Sequence, residues 1–167
     1  MFTLTRIWNF VFLSAMEKSA GILVYRNNVS GLEVFLMHPG GPFWKKKDLG
    51  AWSIPKGEIG EDENEETAAR REFEEETGIK IREDLVPLKP IKQKSGKSVI
   101  AWAAEQDIDE SKIKSNMFEL EWPPKSGKMQ SFPEMDRAAW FSVSEAKEKI
   151  ISGQVGLLDE LVEKLRK

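Results

Sequence analysis

The stretch from Gly57 to Ile79, G-E-I-G-E-D-E-N-E-E-T-A-A-R-R-E-F-E-E-E-T-G-I, constrains this chain more than the rest of it combined. It reads as a helix entered through acidic residues and stopped at Gly78, where a glycine in the left-handed region would cap the last turn. Asp62, Glu63, Glu65 and Glu66 crowd the start, where negative charge is favourable against the helix dipole. Glu72, Glu75 and Glu76 stand at i, i+3 and i+4, so their carboxylates project within one arc of about 100°. Like charges at that spacing repel by about 0.2–0.5 kcal/mol per pair, and the segment does not supply three matching cations. A solvated acidic face is the ordinary outcome of such a run. A divalent cation turns the same repulsion into affinity, because hard oxygen ligands on a rigid element suit Mg²⁺ or Mn²⁺.

The spacing around those carboxylates narrows the choice. Gly57, five residues, Glu63, seven residues and then Arg71-Glu72-Phe73-x-Glu75-Glu76-x-Gly78-Ile79 resembles the box of the Nudix hydrolases, with Phe73 in its aliphatic slot. Gly57 is read as the end of a tight loop after Pro55-Lys56, where the lack of a Cβ lets backbone approach a metal or phosphate. The resemblance implies an α+β fold, an α/β/α sandwich with a mixed sheet between helices. It also implies a pyrophosphohydrolase acting on a nucleoside diphosphate linked to another group. In that reading Glu72, Glu75 and Glu76, with Gly57, hold Mg²⁺ or Mn²⁺, which acidifies a water and clamps the diphosphate oxygens. Arg71, fixed by Glu63, orients the glutamates. Members of the family differ over which glutamate takes the water's proton. Here the candidates are Glu72 or Glu75 in the box and Glu134, which lies in a stretch resembling the family's E-x-x-x-x-x-W-F, with Asp136 a weaker substitute.

Elsewhere the order of elements is read more coarsely. Ala20 to Arg26 and Leu32 to His38 form two β-rich runs around the turn Asn27-Asn28-Val29-Ser30-Gly31, and a Gly/Pro/Lys loop extends from Pro39 to Gly50. Leu85 to Gln93 and Ser98 to Glu105 read as strands, Met117 to Glu121 as a short strand and Trp122 to Ser131 as a loop. Ala138 to Val143 gives a further strand, and Ser144 caps a helix to about Ile151. Val155 to Leu165 is amphipathic, with Leu157, Leu158, Leu161, Val162 and Leu165 as its buried face. Residues 1–16 differ in character from the remainder of the chain, and Met16 precedes a natural start of the first strand. They are read as an extension, dispensable or upstream of the true start, with residues 17–167 as the Nudix domain. A peripheral membrane anchor through Trp8, Phe10 and Phe12 is the alternative; the apolar run from Ile7 to Leu13 is far short of the roughly 20 residues a span needs.

Composition bears on partners. A chain of 167 residues, 40% apolar, buries one core, and with no cysteine it has neither disulfides nor thiolate metal sites, in keeping with a cytoplasmic protein. A formal charge of −3 offers no footprint for wrapping DNA and argues against RNA, so a small nucleotide is the expected partner of a monomer or homodimer. Local cations remain: Lys45, Lys46 and Lys47 before the box, Lys56 beside it, and Lys92, Lys94 and Lys97 after it. Phe43, Trp44, Trp122 and Phe132 are candidates for stacking on a base, and Trp44 and Phe132 join Lys45, Lys47 and Lys56 as the expected substrate-binding residues. His38 is read as a loop anchor.

The resemblance runs from about Glu17 to the C-terminus. His38-Pro39-Gly40-Gly41-Pro42-Phe43-Trp44 and Glu121-Trp122-Pro123-Pro124-Lys125-Ser126-Gly127 look like a bacterial subgroup described as predicted NTP pyrophosphohydrolases. Pro55-Lys56-Gly57 is similar to diadenosine polyphosphate hydrolases and favours dinucleoside polyphosphates or nucleoside triphosphates. The alternatives are an ADP-ribose or nucleotide-sugar pyrophosphatase, an RNA 5′-end pyrophosphohydrolase and a non-catalytic nucleotide-binding module.

Overall fold

Period-two burial organises the centre of the computed structural model, which describes residues 17–167. In chain order the elements are β1 (Lys18–Asn28), β2 (Gly31–Pro39), β3 (Lys56–Glu58), α1 (Glu65–Thr77), β4 (Val86–Pro87), β5 (Ile91–Lys92), β6 (Ser98–Glu105), β7 (Met117–Glu121), β8 (Met129–Pro133), β9 (Met135–Ser142), α2 (Val143–Lys149) and α3 (Val155–Leu165). Residues 1–16, and with them the extension and anchor readings, lie outside the described residues. Among the described residues no helix is long and apolar enough to cross a membrane.

β1 sends Ala20, Ile22 and Val24 to one face of the sheet and Leu23 and Tyr25 to the other, as a strand covered on both sides must. It runs antiparallel to β2 and parallel to β6, β9 adds to the outer edge of β2, and the path β4-β6-β1-β2-β9 makes a mixed sheet. On one face Ala68, Ala69 and Phe73 of α1 pack with Ile22, Phe35 and Met37. On the other, Ala146 of α2 and Leu157, Leu158 and Leu161 of α3 pack with Leu23, Leu36 and Trp52. The result is the expected helix–sheet–helix sandwich. Phe73, the departure from the aliphatic slot, is fully buried, its ring 6.3 Å from that of Phe35.

Four local expectations need correction. The strand read over Leu85 to Gln93 is two fragments, β4 and β5, since Pro87 and Pro90 supply no N–H to a ladder. The loop read over Trp122 to Ser131 is shorter, because Met129–Pro133 pairs with Met117–Glu121 in a separate hairpin. Ser142, not Ser144, caps α2: its hydroxyl accepts from the Glu145 N–H while the Glu145 carboxylate accepts from the Ser142 N–H, a box that requires the S-x-x-E spacing. Leu165, in the last turn of α3, is 43% exposed rather than buried.

Asn64 caps α1, its side-chain oxygen accepting from the N–H groups of Glu66 (3.0 Å) and Thr67 (3.3 Å). Asn64→Ala is expected to lower stability by about 1 kcal/mol, read as a reduced denaturation midpoint with an unchanged slope.

Candidate active site

The site forms where α1 lies against β3. Gly57 does not end a loop, as its sequence context suggests, but sits in β3 opposite Ala20 of β1. The space a Cβ would take at Gly57 is filled by the carboxylate of Glu72. One turn further along α1, Glu76 Oε2 accepts from the backbone N–H of Lys56 at 3.1 Å. Two adjacent residues of one short strand thus receive the carboxylates of two glutamates four apart on the helix. At the far end Gly78 adopts φ 74° and donates its N–H to the Glu74 carbonyl at 2.7 Å, the left-handed cap expected of it.

Arg71 gathers the acidic groups. Its Nε and Nη2 donate to the two oxygens of Glu63 at 2.7 and 2.9 Å, a bidentate pair, and Nη2 also donates to the Glu58 carbonyl at 3.0 Å. Nη1 donates to Glu72 Oε1 at 2.7 Å and Glu75 Oε2 at 3.1 Å. The Arg71 guanidinium and the Gly60 N–H hold the Glu63 carboxyl down at about 2, against an ordinary 4.5. A depressed carboxylate contributes stability that is complete above its ordinary value and is lost as pH falls through its folded value. Glu63→Gln is therefore expected to flatten the fall in denaturation midpoint between about pH 4.5 and 2, and an unchanged acid limb would show that the pairing adds nothing.

Glu76 behaves oppositely. Burial pushes its carboxyl up to about 8, the charges of Glu72 and Glu134 adding to that rise while the Lys56 N–H and ammonium oppose it. Glu134, on the link between β8 and β9, thus lies within electrostatic reach of the box; its N–H donates to the Asn116 carbonyl and its own carbonyl accepts from Gly40, each at 2.8 Å. Burial lowers the Lys56 ammonium, and Glu76 and Glu72 partly restore it. Lys56 therefore sits among the box carboxylates rather than on an open rim.

The other candidates divide. Lys45 and Phe132 line a cavity together with Trp122. Trp44 and Lys47 do not; the Lys47 ammonium lies 4.9 Å over the Trp44 ring, and the Lys47 carbonyl accepts from His38 Nε2 at 2.6 Å. His38 is fully buried, with Nδ1 2.7 Å from Asp136 Oδ1 and its ring against Trp52, so it ties the loop after β2 to both β9 and the core. Asp136 is engaged there rather than at the box. Lys97 pairs with Glu17 at 2.7 Å.

Among the described residues no three His, Cys, Asp or Glu side chains converge as a ready-made metal cage. Arg71 Nη1 engages one oxygen each of Glu72 and Glu75. The donor set still fits a hard divalent cation: it is all oxygen, clustered on one helix, with a carboxylate seated where Gly57 lacks a Cβ.

A family model described as NUDIX domain matches residues 16–161. No curated protein matches the chain. Among solved structures, it is similar to a C. elegans Ap4A hydrolase binary complex, with 22% identity over 89% of this chain and 98% of that one and a TM-score of 0.60. It is also similar to the NUDIX domain of Shewanella oneidensis NrtR complexed with ADP ribose, with 15% identity over 89% and 87% and a TM-score of 0.60. MutT protein from Methanosarcina mazei Go1 shares 18% identity over 90% and 96%, with a TM-score of 0.58. At these identities the likeness is one of fold.

Proposed function

The chain belongs to the NUDIX family and is a pyrophosphohydrolase, and from that premise we propose that it cleaves a phosphoanhydride in a dinucleoside polyphosphate or nucleoside triphosphate. Support for the class of chemistry comes from one observation: the Glu72 carboxylate in the space over Gly57, with Glu76 one turn further along. In this reading Glu72, Glu75 and Glu76, with Gly57, hold Mg²⁺ or Mn²⁺, and residues 17–167 are the catalytic domain. When bound, the cation acidifies water, clamps diphosphate oxygens and offsets charge on the leaving group.

The chain's own residues do the remaining work. Arg71, locked to Glu63, fixes the orientation of Glu72 and Glu75. Glu134, within electrostatic reach of Glu76, takes the proton of the attacking water, a role for which Glu72 is the alternative. Lys45 supplies positive charge for the phosphates, and Lys56 balances the buried glutamates. Pro55-Lys56-Gly57 supports the substrate class.

Chromatographic separation of the phosphorylated products formed from diadenosine polyphosphates, nucleoside triphosphates, ADP-ribose and nucleotide sugars tests the substrate. Cleavage of the first two classes is expected; cleavage confined to ADP-ribose or nucleotide sugars would replace the proposed class. Glu134→Gln is expected to lower kcat by about 10²-fold with metal affinity unchanged. A normal rate would return the base to Glu72.

A further inference from the structure

Between the loop after β2 and the β7–β8 hairpin lies a cavity of about 530 Å³, walled by Pro42, Lys45, Trp122, Gln130, Phe132 and Asp136. We propose that this cavity is a purine subsite in which the base stacks on an aromatic wall and the Gln130 amide reads its edge. The proposal rests on the nucleotide-hydrolase reading and assigns base selection to residues outside the box.

The walls are set before a ligand arrives. The Trp122 ring meets the Phe43 ring edge-on at 5.3 Å, and Phe132 rests on Phe118 at 6.0 Å. A fixed stacking face costs little ordering on binding, and a bicyclic purine covers more of it than a pyrimidine does. Gln130 Nε2 donates to the Trp122 carbonyl at 2.9 Å, which orients the amide and leaves one N–H and Oε1 for a ligand. A donor beside an acceptor pairs with the edge of a base, amine and ring nitrogen in adenine, carbonyl and ring N–H in guanine and equally in uracil, so the amide separates adenine from guanine while the preference for purines comes from the stacking face. Asp136 does not repel a nucleotide with a free charge, since His38 and Arg137 flank its Oδ1 at 2.7 and 3.5 Å.

Pro133 and Asp136 both line the cavity and flank Glu134 in the chain, so a base held there sits beside the segment that carries Glu134. Lys45 lines the same cavity and supplies positive charge for the phosphates of a bound nucleotide.

Calorimetric titration of AMP, GMP and UMP into the metal-free protein tests this without any turnover. Both purine nucleotides are expected to bind at least about fivefold tighter than UMP, and Trp122→Ala to weaken them about tenfold with little effect on UMP. Gln130→Leu, at an exposed position, is expected to change the ratio of AMP to GMP affinity, and its thermal melt checks that the fold survives. UMP binding as tight as AMP, no binding of any of the three at millimolar concentration, or purine affinities untouched in Gln130→Leu and Trp122→Ala overturn the proposal. Purine-selective binding without cleavage of any phosphoanhydride would remove the hydrolase reading and keep the subsite. Cleavage without purine selectivity would do the reverse.

Discussion

Glu76→Gln is expected to lower kcat by about 10³-fold while the protein melts no lower than the wild type. The two halves of that result have one cause. The glutamine keeps the shape of the side chain and an oxygen to accept from the Lys56 N–H, so the packing of α1 on β3 persists. What it loses is a charge that burial and two neighbouring carboxylates make costly in the folded protein, and removing a disfavoured charge does not destabilise. The same charge is a large part of what a hard divalent cation would recognise. Near wild-type turnover in this variant, with a normal melt, would take the metal role away from Glu76. A collapsed melt would show instead that the carboxylate holds the fold together.

Gly57→Ala should reach a similar end by a steric route, lowering kcat by about 10²-fold or more. The new Cβ would occupy the space of the Glu72 carboxylate, and the carboxylate is the part that must give way, because it ends a flexible side chain whereas β3 is held to β1. Displacing it breaks its alignment with Arg71 Nη1 at small cost to packing, so a melting temperature within a few degrees of wild type is expected. Gly156→Ala is the control: it lies in α3 with open space where its Cβ would go, and it should turn over substrate normally. A Gly57→Ala enzyme of ordinary activity would mean that the seat of Glu72 over β3 has no catalytic use.

Much of this site could be read from sequence because it is written along one helix. Glu72, Glu75, Glu76 and Arg71 stand at helical spacing and Gly78 follows the last turn, so their places follow from periodicity, while the partnership of Arg71 with Glu63, ahead of the helix, is what the resemblance implied. The pairing of Arg71 with Glu63 is met in the structure, and so is the left-handed cap at Gly78. What failed to show was decided by tertiary approach. Gly57 looks like a loop glycine because nothing local reveals that β3 will pair with β1 and face Glu72. That Arg71 draws on Glu72 and Glu75 at once depends on side-chain rotamers, which spacing does not specify.

The hairpin is the larger omission. Met129–Pro133 has a weak strand signature, and only its register against Met117–Glu121 brings Gln130 and Phe132 to the same cavity as Trp122. Trp44 and Lys47 part from Lys45 and Phe132 for a related reason, since a loop rich in lysine and aromatics does not show which of its members line a given cavity. The Ser142 cap, by contrast, was available in the sequence as Ser142-Val143-Ser144-Glu145, where only Ser142 stands three residues before the glutamate.

The most direct test of the central claim is the rate at which the best-cleaved nucleotide is converted to its two phosphorylated products as Mg²⁺ or Mn²⁺ is added, for the wild type and Glu76→Gln side by side. Saturable activation of the wild type, abolished by chelator, with Glu76→Gln needing far more metal for a small fraction of the rate, is the predicted result. Wild-type cleavage that survives chelator, or two superimposable metal titrations, would contradict a site built on the carboxylates of α1.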